Sequence, residues 1–349
     1  MPHNQISTTF QLNDELTLAA QYSLDWQSVR QPAGGTFFAT ADQPRADFSF
    51  HAPVPNQPDF EPADKSGNWG VNARWMPEAL EGGSLGFYYR KFDEKLPWSF
   101  LLLNGARPRG VGFSYNQNVE LLGVSYAHTW KGASIGWELS TRRNTGLRSA
   151  NSFATQSMAT YEDVAGARGN TLHGLVNAVK LLPHSSLWDG ASFAGELSFV
   201  HLLDVTNDPK KRYVGDAANK VYNCAGADPA KPAMDICPSE TAFSMNIAFT
   251  PNWAQILPGV NMTLPIKLGY GLSGTGASTG SQIEGYTTFS IGVGAIYLGK
   301  HNFNVQYATT IMPYSLNANG SLNTSDPRLT AGAVQNTHDW ISFSYKINF

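Results

Sequence analysis

Asp339-Trp340-Ile341-Ser342-Phe343-Ser344-Tyr345-Lys346-Ile347-Asn348-Phe349 closes the chain. From 341 onward the odd positions are Ile, Phe, Tyr, Ile and Phe, and the even positions are Ser, Ser, Lys and Asn. Successive side chains of a strand point to opposite faces, so this segment reads as a strand with one apolar and one polar face. It ends on an aromatic, which makes Phe343, Tyr345, Ile347 and Phe349 a candidate C-terminal signal for a barrel-assembly machinery.

The same period of two recurs upstream. Leu16, Leu18, Ala20, Tyr22, Leu24 and Trp26 alternate with Thr17, Ala19, Gln21, Ser23 and Asp25. Leu122, Val124, Tyr126, His128 and Trp130 lead into Lys131-Gly132, and Ala133, Ile135, Trp137 and Leu139 return opposite Ser134, Gly136, Glu138 and Ser140. Phe289, Ile291, Val293, Ala295 and Tyr297 reach Gly299-Lys300, and Phe303, Val305 and Tyr307 come back opposite Asn304 and Gln306. The segment 171–182 alternates too, without showing which of its faces is apolar. Many of these runs are about 9–13 residues long. A soluble strand is commonly about 5–6 residues, whereas a tilted membrane-spanning strand needs about 9–11.

Connection lengths alternate as well. Those at 13–15, 77–83, 131–132, 183–191, 252–259 and 299–302 are short, and those at 27–66, 93–117, 144–169, 204–240, 273–284 and 311–336 are long. Short turns at one end and long loops at the other are the signature of an outer-membrane barrel. About thirteen strands can be counted: 6–12, 16–26, 67–76, 84–92, 118–130, 133–143, 170–182, 192–203, 241–251, 260–272, 284–298, 302–310 and 337–349. The expectation is therefore an all-β fold. It is a single-domain, transmembrane, antiparallel up-and-down β-barrel of about 12–14 strands over 1–349, with short periplasmic turns and long extracellular loops. An odd count would start the first strand outside the cell, and Met1-Pro2-His3-Asn4-Gln5 has neither the basic nor the apolar region of a signal peptide. Both points lead to the expectation of a missing N-terminal portion. The alternative is that 16–26 opens a twelve-stranded barrel.

Composition agrees. Charged residues are 15% of 349, against roughly 25% in ordinary soluble domains, and 33 glycines and nine tryptophans are present. No apolar run approaches the roughly 20 residues of a membrane helix; the longest, Phe100-Leu101-Leu102-Leu103, stops at Asn104. A net charge of −3 gives no reason to expect nucleic acid. Trp26 and Trp69 fall at long-loop ends of strands, and Trp75, Trp130 and Trp253 at or near short-turn ends. Amphipathic rings at both ends form the girdles that anchor a barrel at its interfaces. The competing reading is tryptophan packed in an ordinary core.

Gln5-Ile6-Ser7-Thr8-Thr9-Phe10-Gln11-Leu12, then Leu16-Thr17-Leu18-Ala19-Ala20-Gln21-Tyr22-Ser23-Leu24-Asp25-Trp26, then Arg30-Gln31-Pro32-Ala33-Gly34-Gly35-Thr36-Phe37-Phe38, together with the C-terminus, resemble the proteobacterial outer-membrane proteins of domain-of-unknown-function family thirteen-oh-two. That resemblance covers most of the chain. It implies a longer N-terminus with a signal peptide, and it supplies no catalytic residues. It also implies a periplasmic lipoprotein and an inner-membrane transporter as partners, in moving lipids or other hydrophobic molecules across the envelope.

Several constellations are candidates for function. Asp25, Asn72, Arg74, Arg90, Glu138, Arg142, Glu196, Lys267, Asn304, Gln306 and Lys346 lie on the polar faces, and closure of the strands would turn them into a lumen. They read either as a selectivity constriction or as a self-neutralising network, since no single sign dominates. Cys224 and Cys237 share one long loop, and an extracellular location favours a disulfide over free thiols or a metal site. Pro209-Lys210-Lys211-Arg212 would meet lipopolysaccharide phosphates or sit at a solvated loop tip. Gly271-Leu272-Ser273-Gly274-Thr275-Gly276-Ala277-Ser278-Thr279-Gly280 lacks a P-loop ending and reads as a flexible loop. A hydrolase would need His201 with Ser198 or His173 with Asn170, and neither has a supporting motif. The functional expectation is a channel or transport component for small or hydrophobic, lipid-like molecules, embedded among outer-membrane lipid and lipopolysaccharide and needing no cofactor or metal. The alternatives are a closed structural or surface-binding barrel and an outer-membrane hydrolase.

Overall fold

The computed structural model of the chain describes residues 4–30, 32, 36–38, 58–105, 107–150, 152–155, 160–216, 224, 237–314, 335–336 and 338–348. In chain order the strands are β1 (Gln5–Gln11), β2 (Leu16–Ser23), β3 (Trp69–Trp75), β4 (Ser84–Phe92), β5 (Pro97–Asn104), β6 (Arg107–Tyr115), β7 (Val119–Trp130), β8 (Ala133–Gly146) and β9 (Ser152–Thr155). A one-turn helix, α1 (Tyr161–Val164), precedes β10 (Arg168–Leu182), β11 (Gly190–Asn207), β12 (Thr241–Leu257), β13 (Val260–Thr263), β14 (Ile266–Ser273), β15 (Thr287–Tyr297), β16 (His301–Ile311) and β17 (Trp340–Ile347).

Fourteen of these strands form one sheet, in which each pairs antiparallel with its neighbours along the path β1-β2-β3-β4-β7-β8-β10-β11-β12-β13-β15-β16-β17, while β14 pairs with β12 and β15. β13 and β14 are two halves of one crossing. Pro265 lies between them and has no N–H to give to a ladder, so the pairing breaks there and resumes. The wall of this up-and-down β-barrel thus has thirteen crossings, at nearly the positions the alternation marks. Because thirteen is odd, β1 and β17 run in the same direction. Among the described residues no pairing joins them. At the long-loop end the connection after β2 meets the start of β17: Phe37 stacks on His338 at 4.9 Å and Phe38 meets Trp340 edge-on at 6.2 Å.

Some boundaries move. β12 runs through Pro251 and Asn252 to Leu257, where the sequence suggests a turn. Its partners supply the reason: Asn252 pairs with Thr263 and Leu257 with Val260, so the reversal tightens to Pro258-Gly259, with Gly259 at φ +77°. β11 extends to Asn207, two residues farther than it would without the register shifts against β10 at Arg168–Thr171.

The apolar face of the wall is open. Ile341 is 74% exposed and Phe343 68%, and Leu122, Val124, Trp137, Leu139, Val293 and Val305 are also exposed. Rows of this kind are a liability in water and are the normal state of a barrel facing lipid. A buried core exists instead beyond the strands, at the long-loop end. The connections at 93–118 and 147–167 hold a second sheet, β6-β5-β9, for which the sequence shows no assigned strand. Phe100 and Leu102 pack there with Val164, Phe60 and Ala154. Gly112 of β6 lies under the Phe100 ring, where a Cβ would come within 2.3 Å of it.

Placing a charge on the two faces of one strand separates lipid from lumen. Val305→Arg is expected to cost about 2–4 kcal/mol in urea unfolding from lipid vesicles, the depth-dependent cost of a lipid-facing arginine. Gln306→Arg, one residue along on the other face, is expected to cost a small fraction of that.

Candidate functional site: the polar face and its cap

Register carries one face across the whole wall. Arg74 of β3 pairs with Thr17 and Gly86, Gly86 with Ser125, Ser125 with Glu138, Glu138 with Leu175, Leu175 with Ser198, and Ser198 with Ser244. Paired residues share a face, so Arg74 and Glu138 belong together. Asn72, Arg90 and Arg142 join them through Tyr88, Gly70 and Leu121. Farther round, Glu196 pairs with Asn246, whose Nδ2 donates to Glu196 Oε1 at 3.3 Å. Lys267 pairs with Ser290, and Asn304, Gln306 and Lys346 pair with Ser344, Ser342 and Asn302. Asp25 lies just past β2, where its Oδ2 accepts from Gln27 Nε2 at 2.7 Å. The same ladder settles 171–182: Thr171, His173, Leu175 and Asn177 are on the polar face, and Leu172, Gly174 and Val176 on the other. A cavity of about 510 Å³ opens on the polar face, bounded by Gln21, Asn72, Tyr88, Arg90, Glu138 and Arg142. A larger groove of about 720 Å³ lies along the apolar face beside Val124, Trp137, Leu139 and Phe199, where acyl chains of lipid would pack.

Over the long-loop end the connections fold into a cap. Glu94 fastens the start of the β5–β6 hairpin to the end of β8: its Oε1 accepts from Thr145 Oγ1 at 2.6 Å and its Oε2 from the Gly146 N–H at 3.0 Å. Burial raises the Glu94 carboxyl above its ordinary range, and also that of Asp93. Trp98 Nε1 donates to the Leu147 carbonyl at 2.8 Å. Arg148 reaches across to the loop between β14 and β15, donating to the carbonyls of Gly276 at 3.3 Å and Ser281 at 3.1 Å. Burial lowers this guanidinium to about 10, so it remains charged at neutral pH. Leu147, Ala167, Tyr213 and Ala277 close a small apolar cluster beside it.

Two expectations change at this end, and a third changes in part. Trp26 is 3% exposed, edge-on to Tyr115 at 4.9 Å, with Lys65 Nζ 4.9 Å from the ring centre. It belongs to the cap core with Phe113, because the chain leaves the wall at Ser23 and turns inward before reaching it. Trp69, Trp75 and Trp130 are exposed at strand ends, and Trp253 is half-buried near the end of β12, donating Nε1 to the Leu187 carbonyl. The glycine-rich segment 271–280 is a packed part of the cap, with Thr275, Ala277 and Ser278 buried. The basic run stays at the surface at Lys210 and Lys211, which pair with Asp163 and Asp216, and turns inward at Arg212, which donates to the carbonyls of Asp163 and Ala165. His201 and Ser198 are on opposite faces of β11. His201 Nδ1 lies 2.7 Å from Thr241 Oγ1, and His173 Nε2 lies 2.9 Å from Thr171 Oγ1.

Cys224 and Cys237 form a disulfide with Cα atoms 5.3 Å apart. Phe343, Tyr345 and Ile347 share the apolar face, paired with Val305, Phe303 and His301; Phe349 lies outside the described residues. Among the described residues no His, Cys, Asp and Glu cluster with metal-binding geometry is found. The sequence reading missed Glu94, Trp98 and Arg148. Its available signal was Trp98, Phe100 and Leu102 against Val111, Phe113 and Tyr115, a period of two around the Asn104-Gly105 turn, where Gly105 has φ +61°.

A family model described as "Protein of unknown function (DUF1302)" matches residues 1–349. No curated protein matches the chain. Among solved structures, the chain is similar to in-vitro folded OmpT, an outer membrane protein of Vibrio cholerae, at TM-score 0.34 and 9% identity, over 88% of this chain and 78% of that one. A loop L8 deletion mutant of the same protein gives TM-score 0.35 and 10% identity, over 88% and 83%.

Two measurements probe the cap. Arg148→Ala removes a charged donor from two carbonyls, at about 1.5–3 kcal/mol for each such hydrogen bond. It is expected to make 274–286 cleavable in limited proteolysis while the wall stays resistant. Because the carboxyls of Glu94 and Asp93 are raised, the folded cap holds more protons than the unfolded chain between their ordinary and raised values. Their contribution to cap stability is therefore full on the acid side and lost as pH rises through the raised values. Glu94→Gln is expected to flatten the pH dependence of cap unfolding, read from tryptophan fluorescence, to the part left by Asp93.

Proposed function

The chain belongs to the family of proteins of unknown function designated DUF1302, and on that premise we propose that it is a bacterial outer-membrane channel or transport component for small or amphiphilic, lipid-like solutes. The observation that carries this reading is the polar face that register draws across the whole wall, with a cavity of about 510 Å³ upon it. An apolar exterior with a polar interior gives a solute a wet path through lipid, and mixed charge on that path suits a solute that is itself partly polar. Lys and Arg at 74, 90, 142, 267 and 346 stand on this face with Glu138 and Glu196. In this reading the β5–β6 hairpin is the element that restricts passage. Transfer of a lipid-like cargo across the envelope would add a periplasmic lipoprotein and an inner-membrane transporter as partners.

A second reading, a barrel closed at its long-loop end that acts through its surface, is favoured by the same cap. It shares the wall and differs in permeability. The two separate in liposome-swelling and single-channel recordings. The channel reading expects solute passage by the wild-type chain and larger conductance when 97–115 is replaced by a short Gly-Ser linker. No passage by either protein would contradict it and leave the closed barrel.

A further inference from the structure

Arg90 of β4 and Arg142 of β8 stand on one row of the polar face, on either side of Leu121 of β7. Neighbouring strands are about 4.8 Å apart, so the two Cα atoms are separated by about 10 Å, and two long guanidinium side chains can reach a common point between them. Both border the polar cavity. Neither takes part in an ion pair among the described residues. Arg90 lies over the Phe92 ring at 4.8 Å, which leaves its N–H groups without an acceptor from that contact. Arg142 Nε is buried and has no hydrogen-bond partner among the described residues.

One nearby carboxylate, Glu94, attracts Arg142, and a single carboxylate offsets at most one of the two positive charges. Both oxygens of Glu94 are engaged by Thr145 and Gly146. Glu138 lies four positions back along β8, about 13 Å away at the rise of a strand. Asp25 is held by Gln27. Lys95 follows Glu94 directly and adds a further positive charge to the same region. A buried guanidinium nitrogen without an acceptor is costly, and a charge-assisted bond to an oxyanion removes that cost. Gln21, Asn72 and the Tyr88 hydroxyl, which lies 3.1 Å from Ser125 Oγ, line the remaining wall with neutral hydrogen-bonding groups.

We propose that Arg90 and Arg142 form an oxyanion-binding site on the polar face beneath the cap, which takes a carboxylate or phosphate group. The inference deepens the channel reading by naming the charge of the preferred solute. Its binding half stands without that reading. Free phosphate and the head of an anionic amphiphile present the same oxygens, so the experiment separates them.

The test is calorimetric titration of the full chain in neutral-detergent micelles with two probes, inorganic phosphate and decanoate. The wild-type chain is expected to bind at least one probe. Arg142→Gln and Arg90→Gln are each expected to weaken it by about tenfold or more, the equivalent of one charge-assisted hydrogen bond. Lys300→Gln, in the short turn before β16 and away from the pair, is expected to bind as the wild type does. Binding of both probes alike assigns a free oxyanion, and binding of decanoate alone assigns an amphiphile head. Absence of binding to the wild type, or equal loss in Lys300→Gln, overturns the proposal. Heat-modifiable migration in electrophoresis establishes that each variant is folded, and should one arginine variant misfold, the other carries the test. Reversal potentials across a salt gradient provide the second readout: an anion preference lost in Arg142→Gln is expected. A chain that binds but conducts nothing refutes the channel reading and leaves the site intact. A chain that conducts without an arginine-dependent preference and binds neither probe refutes the site alone.

Discussion

A peptide group placed in lipid has no water to bond, and each unsatisfied N–H or C=O there costs several kcal/mol. The ladder of antiparallel pairs from β1 to β17 answers that cost, and nearly everything else follows from it. Pairing forces side chains to alternate, alternation gives the wall two faces, and the two faces meet different solvents. Ile341, Phe343 and Val305 are exposed in the chain alone because their partner is the acyl chain of a lipid. Ser342, Ser344 and Gln306, between them, face the interior with the charged groups.

The molecule therefore builds its buried core away from its wall. Phe100, Leu102, Phe113, Tyr115, Leu147, Val164 and Ala277 are the residues an ordinary domain would hide, and here they lie in loops at one end. The polar links among them resemble those of a soluble protein. Glu94 bonds β8, Trp98 bonds the Leu147 carbonyl, and Arg148 ties two loops that are more than a hundred residues apart in sequence. Cap and wall thus obey different rules. The wall keeps apolar groups outside and charges inside, and the cap reverses this. The arginine pair at 90 and 142 stands where the two meet, on the polar face just below Glu94.

That division explains what the sequence disclosed. The wall was legible because one side of every crossing meets lipid and the other water. A strict period of two results, visible even at 341–347, and thirteen crossings can be counted from it. The β13–β14 break at Pro265 and the continuation of β12 to Leu257 were less visible, since both depend on which neighbour supplies the pairing. The cap was mostly illegible. Its contacts join residues far apart in sequence, and a loop with a core of its own shows no length or period distinct from a solvated one. Trp26 illustrates the failure: it continues the apolar alternation of β2, yet the chain has already left the wall. Long loops rich in Gly and Pro suggested mobility at 271–280, where long-range hydrogen bonds from Arg148 fix the backbone instead.

Site-directed spin labelling along a single strand tests this account most directly. With nitroxides placed one at a time at 341 to 346 in lipid vesicles, the account predicts that 341, 343 and 345 collide with oxygen dissolved in the bilayer. It predicts that 342, 344 and 346 collide instead with a water-soluble nickel chelate. Uniform accessibility to the chelate at all six positions would contradict it.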